Sequence, residues 1–156
     1  MRNIYLFGLI AFLISVLTTF VDAKNPIHNE PHPSLTPKDV VAIVMTALQR
    51  NDISNNDTGI TITYSFASPA NKLNTGPFER FAIMIKGGAY RQMLDNRSFE
   101  LDNYEVSGKK AQVDVFLVSR TGKSFGFRFG LSKQVGNRYE GSWMTDLVVP
   151  IKVTSV

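Results

Sequence analysis

Cysteine is absent from the chain. That one absence excludes disulfides, thiolate nucleophiles, iron–sulfur clusters and cysteine-ligated zinc, so the fold must be held by its core alone. Histidine is nearly as scarce. His28 and His32 are the only two, and both fall in the Pro-rich stretch "KNPIHNEPHPSLTP". The chain that follows therefore holds no Ser-His-Asp triad, no histidine-mediated proton transfer and no His-rich metal site. No third ligand is fixed near the two histidines, so no metal and no other cofactor is expected. A phosphate loop is also missing, because Gly87-Gly88 and Gly122-Lys123 lack the loop-to-helix glycine pattern. Concentrated basic charge is missing too. The formal charge is +4, yet Lys and Arg are scattered, with Lys109-Lys110 the only adjacent pair. A nucleic-acid partner is not expected from such a layout.

What is present begins with a targeting pattern. In "MRNIYLFGLIAFLISVLTTFVDAKN", Arg2 supplies a positive start and residues 4–17 an apolar run. Val21 and Ala23 stand where a signal peptidase reads small residues. Residues 1–23 thus read as a signal peptide cleaved after Ala23, which directs the rest to the secretory lumen or the outside. The competing reading is an uncleaved membrane anchor, since the run stretched to Val21 reaches the lower limit for a bilayer span, roughly 17–20 residues. In that compartment two sequons gain meaning, Asn56-Asp57-Thr58 and Asn96-Arg97-Ser98, with Asn56 and Asn96 as glycosylation candidates. Residues 24–35 read as an extended linker, and 151–156 as a tail or strand extension.

Residues 36–150 have room for a single α+β domain, with helices first and strands afterwards. Thr36 as N-cap, Pro37 at the first helical position and Asp39 as capping-box acid open a helix whose apolar face is Val40, Val41, Val44, Ala47 and Leu48. The segment "GITITYSFAS" fits strand alternation and helical spacing alike, and its own periodicity does not decide between them. "SPANKLNTG" reads as a loop. Pro77 opens a helix to Lys86 burying Phe78, Phe81, Ala82 and Ile85. Gly87-Gly88 ends it, and a brief helical turn follows over residues 89–94. From Arg97 the period changes to two. Four strands, "SFELDNYEV", "AQVDVFLVS", "SFGFRFGLSKQ" and "YEGSWMTDLVV", are joined by short turns into an antiparallel meander. Alternation puts Trp143, Thr145, Leu147 and Val149 on one face of the last strand, and Met144, Asp146 and Val148 on the other.

Helical segments followed by a curved antiparallel sheet resemble the cone-shaped nuclear transport factor 2-like folds, which include ketosteroid isomerase. "FASPANKLNTGPFERFAIMI" with "GSWMTD" is similar to a domain-of-unknown-function family of plants and bacteria, in which "FASPAN…TGP…RF" precedes "WMTD" across a meander. The likeness covers residues 36–150. It implies that residues 60–68 are helical and that a pocket lies between sheet and helices.

Such a pocket takes small apolar molecules, and its candidate walls are Tyr64, Phe81, Tyr90, Phe127, Phe129 and Trp143. Polar candidates are few: Glu79, Arg128 and Asp146, with Asp114, Glu100 and Glu140 as the other carboxylates considered for a general base. Asp114 has the parity of a water-facing residue. Glu79 suits the first turn of its helix, where a negative charge favours the dipole. Arg128 alternates with two glycines, either on an exposed sheet face or as an anion-binding group. Binding of a small apolar molecule without catalysis is the leading expectation. Sheet-mediated interaction, including a homodimer, is the first rival. An isomerase- or dehydratase-like enzyme, using a buried carboxylate with a tyrosine such as Tyr64 or Tyr90, is the second.

Overall fold

A computed structural model describes residues 29–52 and 57–153. The signal segment 1–23, His28, the sequon asparagine Asn56 and the last three residues of the tail lie outside these. The order is α1 (Pro37–Gln49), α2 (Thr58–Ser65), α3 (Pro69–Thr75), α4 (Phe78–Lys86), a 3-10 turn (Tyr90–Met93), then β1 (Ser98–Ser107), β2 (Lys110–Val118), β3 (Ser124–Lys133) and β4 (Trp143–Ile151). The class is α+β. The four strands form one antiparallel sheet in the order β1-β2-β3-β4, each hydrogen-bonded to its neighbour in sequence. Among the described residues no helix is long and apolar enough to cross a membrane.

Helix α1 starts as its sequence dictates. The Thr36 hydroxyl accepts from Asp39 N–H while the Asp39 carboxylate accepts from Thr36 N–H, and Pro37 occupies the first turn. Helix α2 resolves the ambiguous segment. Its β-branched residues favour a strand, but Gly59 allows α2 to press against α1: a Cβ there would stand 2.1 Å from Ala47 O. Asn51 joins the crossing by accepting from Ile60 N–H. Tertiary packing overrides local propensity here.

The expected loop 68–76 contains helix α3. Ser68 caps it by accepting from Asn71 N–H, Pro69 opens it, and Gly76 at φ +85° ends it. Leu73, its one large apolar side chain, is exposed, so α3 is held by polar contacts to β4 rather than by an apolar face. The end of the expected linker also differs from an extended tether. Leu35 N–H bonds His32 O in a turn, and the Leu35 side chain joins the core.

The core lies between the helices and one face of the sheet. It includes Val40, Val44 and Leu48 of α1, Ile60 of α2, and Phe81 and Ile85 of α4. The sheet contributes Val113, Val115, Phe127, Phe129, Leu131 and Trp143. Two bulges break the sheet's parity. Asn103 and Tyr104 on β1 oppose one residue of β2, with Asn103 at φ 40°. On β4 the register passes from Leu131↔Thr145 to Gly130↔Leu147, so Asp146 is the extra residue.

The second bulge corrects the expected faces of β4. Trp143 and Thr145 do face the helices, but beyond Asp146 it is Val148, paired with Phe129, that points inward. Leu147 and Val149 turn to the outer face and are 49% and 41% exposed. No glycine lies within Thr145–Leu147 to announce the bulge. It is stabilised instead by what Asp146 gains on the outer face, a bond from Ser132 Oγ at 2.8 Å and an ion pair with Lys110 at 2.9 Å.

Candidate functional site

A cleft of about 220 Å³ opens between β4 and the helical layer. Val44 and Leu48 of α1, Phe81, Met84 and Ile85 of α4, Met93 of the 3-10 turn, and Phe129 and Val148 of the sheet give it apolar walls. Its polar rim comes from Thr63, Asn71, Asn74, Thr75 and Thr145. Burying a probe's apolar surface here returns roughly 25 cal/mol per Å². The volume exceeds the ~150 Å³ apolar cavity that suffices for benzene.

Thr145 organises one side. Its backbone N–H donates to Phe66 O, and its carbonyl accepts from Ser68 N–H and from the Asn71 side-chain amide at 3.2 Å. These bonds, with an isolated parallel bridge between Ala67 and Thr145, fix the start of α3 to the edge of the sheet. Thr145 is 6% exposed, lies on the helix-facing side of β4 and is among the residues that line the cleft. Its hydroxyl oxygen is buried and has no hydrogen-bond partner among the described residues. Most buried hydroxyls are bonded, so an orphan of this kind requires an explanation.

The other polar groups of the rim are hydrogen-bonded within the fold, except the exposed amide of Asn74. Asn71 Oδ1 accepts from Thr75 Oγ1, and Thr63 Oγ1 donates to Gly59 O. Tyr90 Oη donates to Val148 O at 2.9 Å. Among the described residues Asp146 and Tyr90 are the only titratable ones bordering the cleft, and both Asp146 oxygens are engaged on the outer face by Ser132 and Lys110. The cleft therefore presents no free carboxylate as a general base. Among the described residues no three His, Asp or Glu side chains gather as a metal site would require.

Of the six expected wall residues, Phe81, Tyr90 and Phe129 border the cleft. Two more stand behind it. Tyr64 packs edge-on against Phe78 and at 5.1 Å from the Phe81 ring, donating its hydroxyl to Gly76 O. Phe127 stacks on Tyr90 at 6.4 Å. Trp143 is buried elsewhere in the core and does not border the cleft. Glu79 sits exposed in the first turn of α4, and Glu100 and Glu140 are exposed as well.

Asp114 and Arg128 lie on the outer face, and there the expectation of a water-facing Asp114 is corrected. Its side chain is 1% exposed, covered by the Arg128 guanidinium and by Asn103, whose amide reaches Asp114 Oδ2 at 3.1 Å. The parity was that of the outer face, but neighbouring side chains roof the position. The Arg128 bonds hold the Asp114 carboxyl below its ordinary pKa and raise that of Arg128 in turn. Arg128 is thereby committed to an internal carboxylate rather than presented to an external anion. Asn96 is also corrected as a glycan site. It is buried, its amide donating to Met93 O and its Oδ1 accepting from Gln49, so the folded domain has no room for a glycan there.

The cleft's Asn71, Asn74, Thr75 and Thr145 were not among the expected site residues. The helix-start signal of Ser68-Pro69 was present for the first three. For Thr145 no local signal exists, since its role depends on partners about 75 residues away. No protein-family model, curated protein or solved structure matches the chain.

Proposed function

We propose that this is a secretory-pathway domain that binds a small apolar molecule in the cleft between β4 and the helices. The observation that carries the reading is a cleft with mainly apolar walls and, among the described residues, no free ionisable side chain inside it. The enzyme reading needs a buried carboxylate within reach of a tyrosine, and the engagement of Asp146 and Tyr90 weighs against it. The proposed location rests on the charged, apolar and small-residue pattern of residues 1–23. The order of helices followed by a meander is compatible with the cone-shaped nuclear transport factor 2-like fold, and the motifs quoted above support kinship with the domain-of-unknown-function family that resembles it.

The test is a titration of the purified protein with n-butylbenzene, followed by amide NMR shifts. Saturable shifts are expected at Phe81, Met93, Phe129 and Thr145. The absence of saturable binding of butylbenzene, or shifts confined to other parts of the molecule, would refute the reading.

A second reading, sheet-mediated self-association, is favoured by one observation. The β4 bulge delivers Leu147 and Val149 to the outer face, where both are substantially exposed beside Ile151.

A further inference from the structure

Helix α3 forms one side of the cleft, with Asn71, Asn74 and Thr75 among the lining residues. Its attachment differs in kind from that of α1 and α4. Those helices are held by apolar side chains in the core, Val40, Val44 and Leu48 in one and Phe81 and Ile85 in the other. In α3 only Asn71 is buried, and Leu73 is 87% exposed. Little hydrophobic burial therefore opposes its movement away from the domain.

What holds α3 is a small set of polar contacts. Ser68 N–H and the Asn71 side-chain amide both donate to Thr145 O, the latter at 3.2 Å. At the other end Tyr64 Oη donates to Gly76 O at 3.3 Å, and the Lys72 ammonium lies 4.9 Å over the Tyr64 ring. Each such bond contributes little net stability, because water replaces it when the helix moves away. The two ends are also suited to turning. Ser68 and Gly76 precede Pro69 and Pro77, whose rings fix φ, so rotation concentrates at the residues before them. Gly76 stands at φ +85° and ψ −167°, a conformation almost confined to glycine, and glycine leaves it for others without steric cost.

We propose that α3 is a flap over the cleft. It swings on Ser68 and Gly76 to admit and release a ligand, and the Tyr64 hydroxyl is the latch on its C-terminal end. This rests on the proposed binding function and adds how a ligand enters. Tyr64 is a positioning residue here, standing behind the cleft and acting through Gly76.

Amide exchange of the unliganded protein reads the motion. A seven-residue helix has little stability of its own, so α3 frays once detached and its amides meet solvent. The Lys72 and Gly76 amides, bonded to Ser68 O and Lys72 O, are expected to exchange at least about tenfold faster than those of Val44 and Leu48 in α1. Their exchange should not respond to low urea concentrations, the mark of a local opening. Tyr64→Phe removes the latch and keeps the ring packed on Phe78 and Phe81. It should speed this urea-independent exchange about 3- to 10-fold, the effect of one net hydrogen bond. A hydroxyl that merely stabilised the whole fold would speed only the urea-dependent exchange. n-Butylbenzene titrated into both proteins, with NMR line shapes, gives the binding kinetics. Association and dissociation should both quicken about 3- to 10-fold in Tyr64→Phe, with the affinity kept within about twofold, because a gate alters passage and not the closed complex.

Amides of α3 that exchange only through global unfolding overturn the flap. So does a Tyr64→Phe protein that matches the wild type in either measurement. If butylbenzene fails to bind the wild type saturably, the binding function falls and the flap's role with it. If it binds while α3 exchanges only globally, the flap alone falls.

Discussion

Asp114 and Arg128 stand directly opposite each other on β2 and β3, and the guanidinium takes both carboxylate oxygens, Nε to Oδ1 at 2.7 Å and the terminal nitrogen to Oδ2 at 2.8 Å. This two-point clasp explains how a carboxylate on the outer face of the sheet is almost fully covered. Asn103, turned over by the β1 bulge, completes the roof.

The clasp gives stability a defined pH dependence. Asp114 in the folded protein titrates below its unfolded value of about 3.9. Its stabilising contribution is therefore complete above about pH 4 and lost as pH falls through the lower folded value. Arg128→Met is expected to lower the urea midpoint at pH 6. The gap from wild type should narrow as pH falls to 3, because the unpaired Asp114 can protonate at little cost. Urea denaturation at several pH values measures this, and a gap that stays constant with pH would contradict it.

The outer face also predicts association behaviour. If Leu147 and Val149 form a contact between copies, sedimentation velocity will show a concentration-dependent dimer that Leu147→Lys abolishes. Leu147 also lies over Gly130, whose added Cβ would stand 3.1 Å from Leu147 Cγ. Circular dichroism should therefore accompany the measurement to show that the variant keeps its fold. A monomer at every concentration would remove the association reading and leave the cleft untouched.

Trp143, buried against the core and away from the cleft, is expected to matter for stability alone. Trp143→Ala should cost about 3–5 kcal/mol, the usual price of removing a large aromatic from a core. Conservative replacement by Phe should leave probe affinities unchanged. Denaturation and titration together separate the two effects, and a changed affinity in a folded Trp143→Phe protein would return the residue to the site.

Gly59→Ala should destabilise by about 1–3 kcal/mol through overpacking, because the new Cβ would meet Ala47 O at 2.1 Å and Asn51 Oδ1 at 2.9 Å. The alternative, that α2 forms by propensity and tolerates separation from α1, predicts no loss. Thermal melts of the variant decide between the two.

The sequence by itself determined the class, helices α1 and α4, the four-strand meander and most of the core, but not helix α3. The capping box at Thr36 and Asp39 and the alternation of Val113, Val115 and Leu117 are local patterns, set by bonds and spacings within a few residues. The same patterns excluded cysteine and histidine chemistry. They left residues 60–65 open, because the choice of helix depended on Gly59 fitting against α1. They also placed Leu147 and Val149 on the wrong face, because one extra residue at Asp146 reverses every side chain after it, and that bulge is held by Lys110 and Ser132 from other strands. Tertiary structure alone decided that Asp114 would be roofed, that Trp143 would leave the cleft, and that Thr145 would hold α3 with its backbone while its hydroxyl stayed unpaired. Each of these depends on partners distant in sequence, brought within bonding range only when the sheet and helices close on one another.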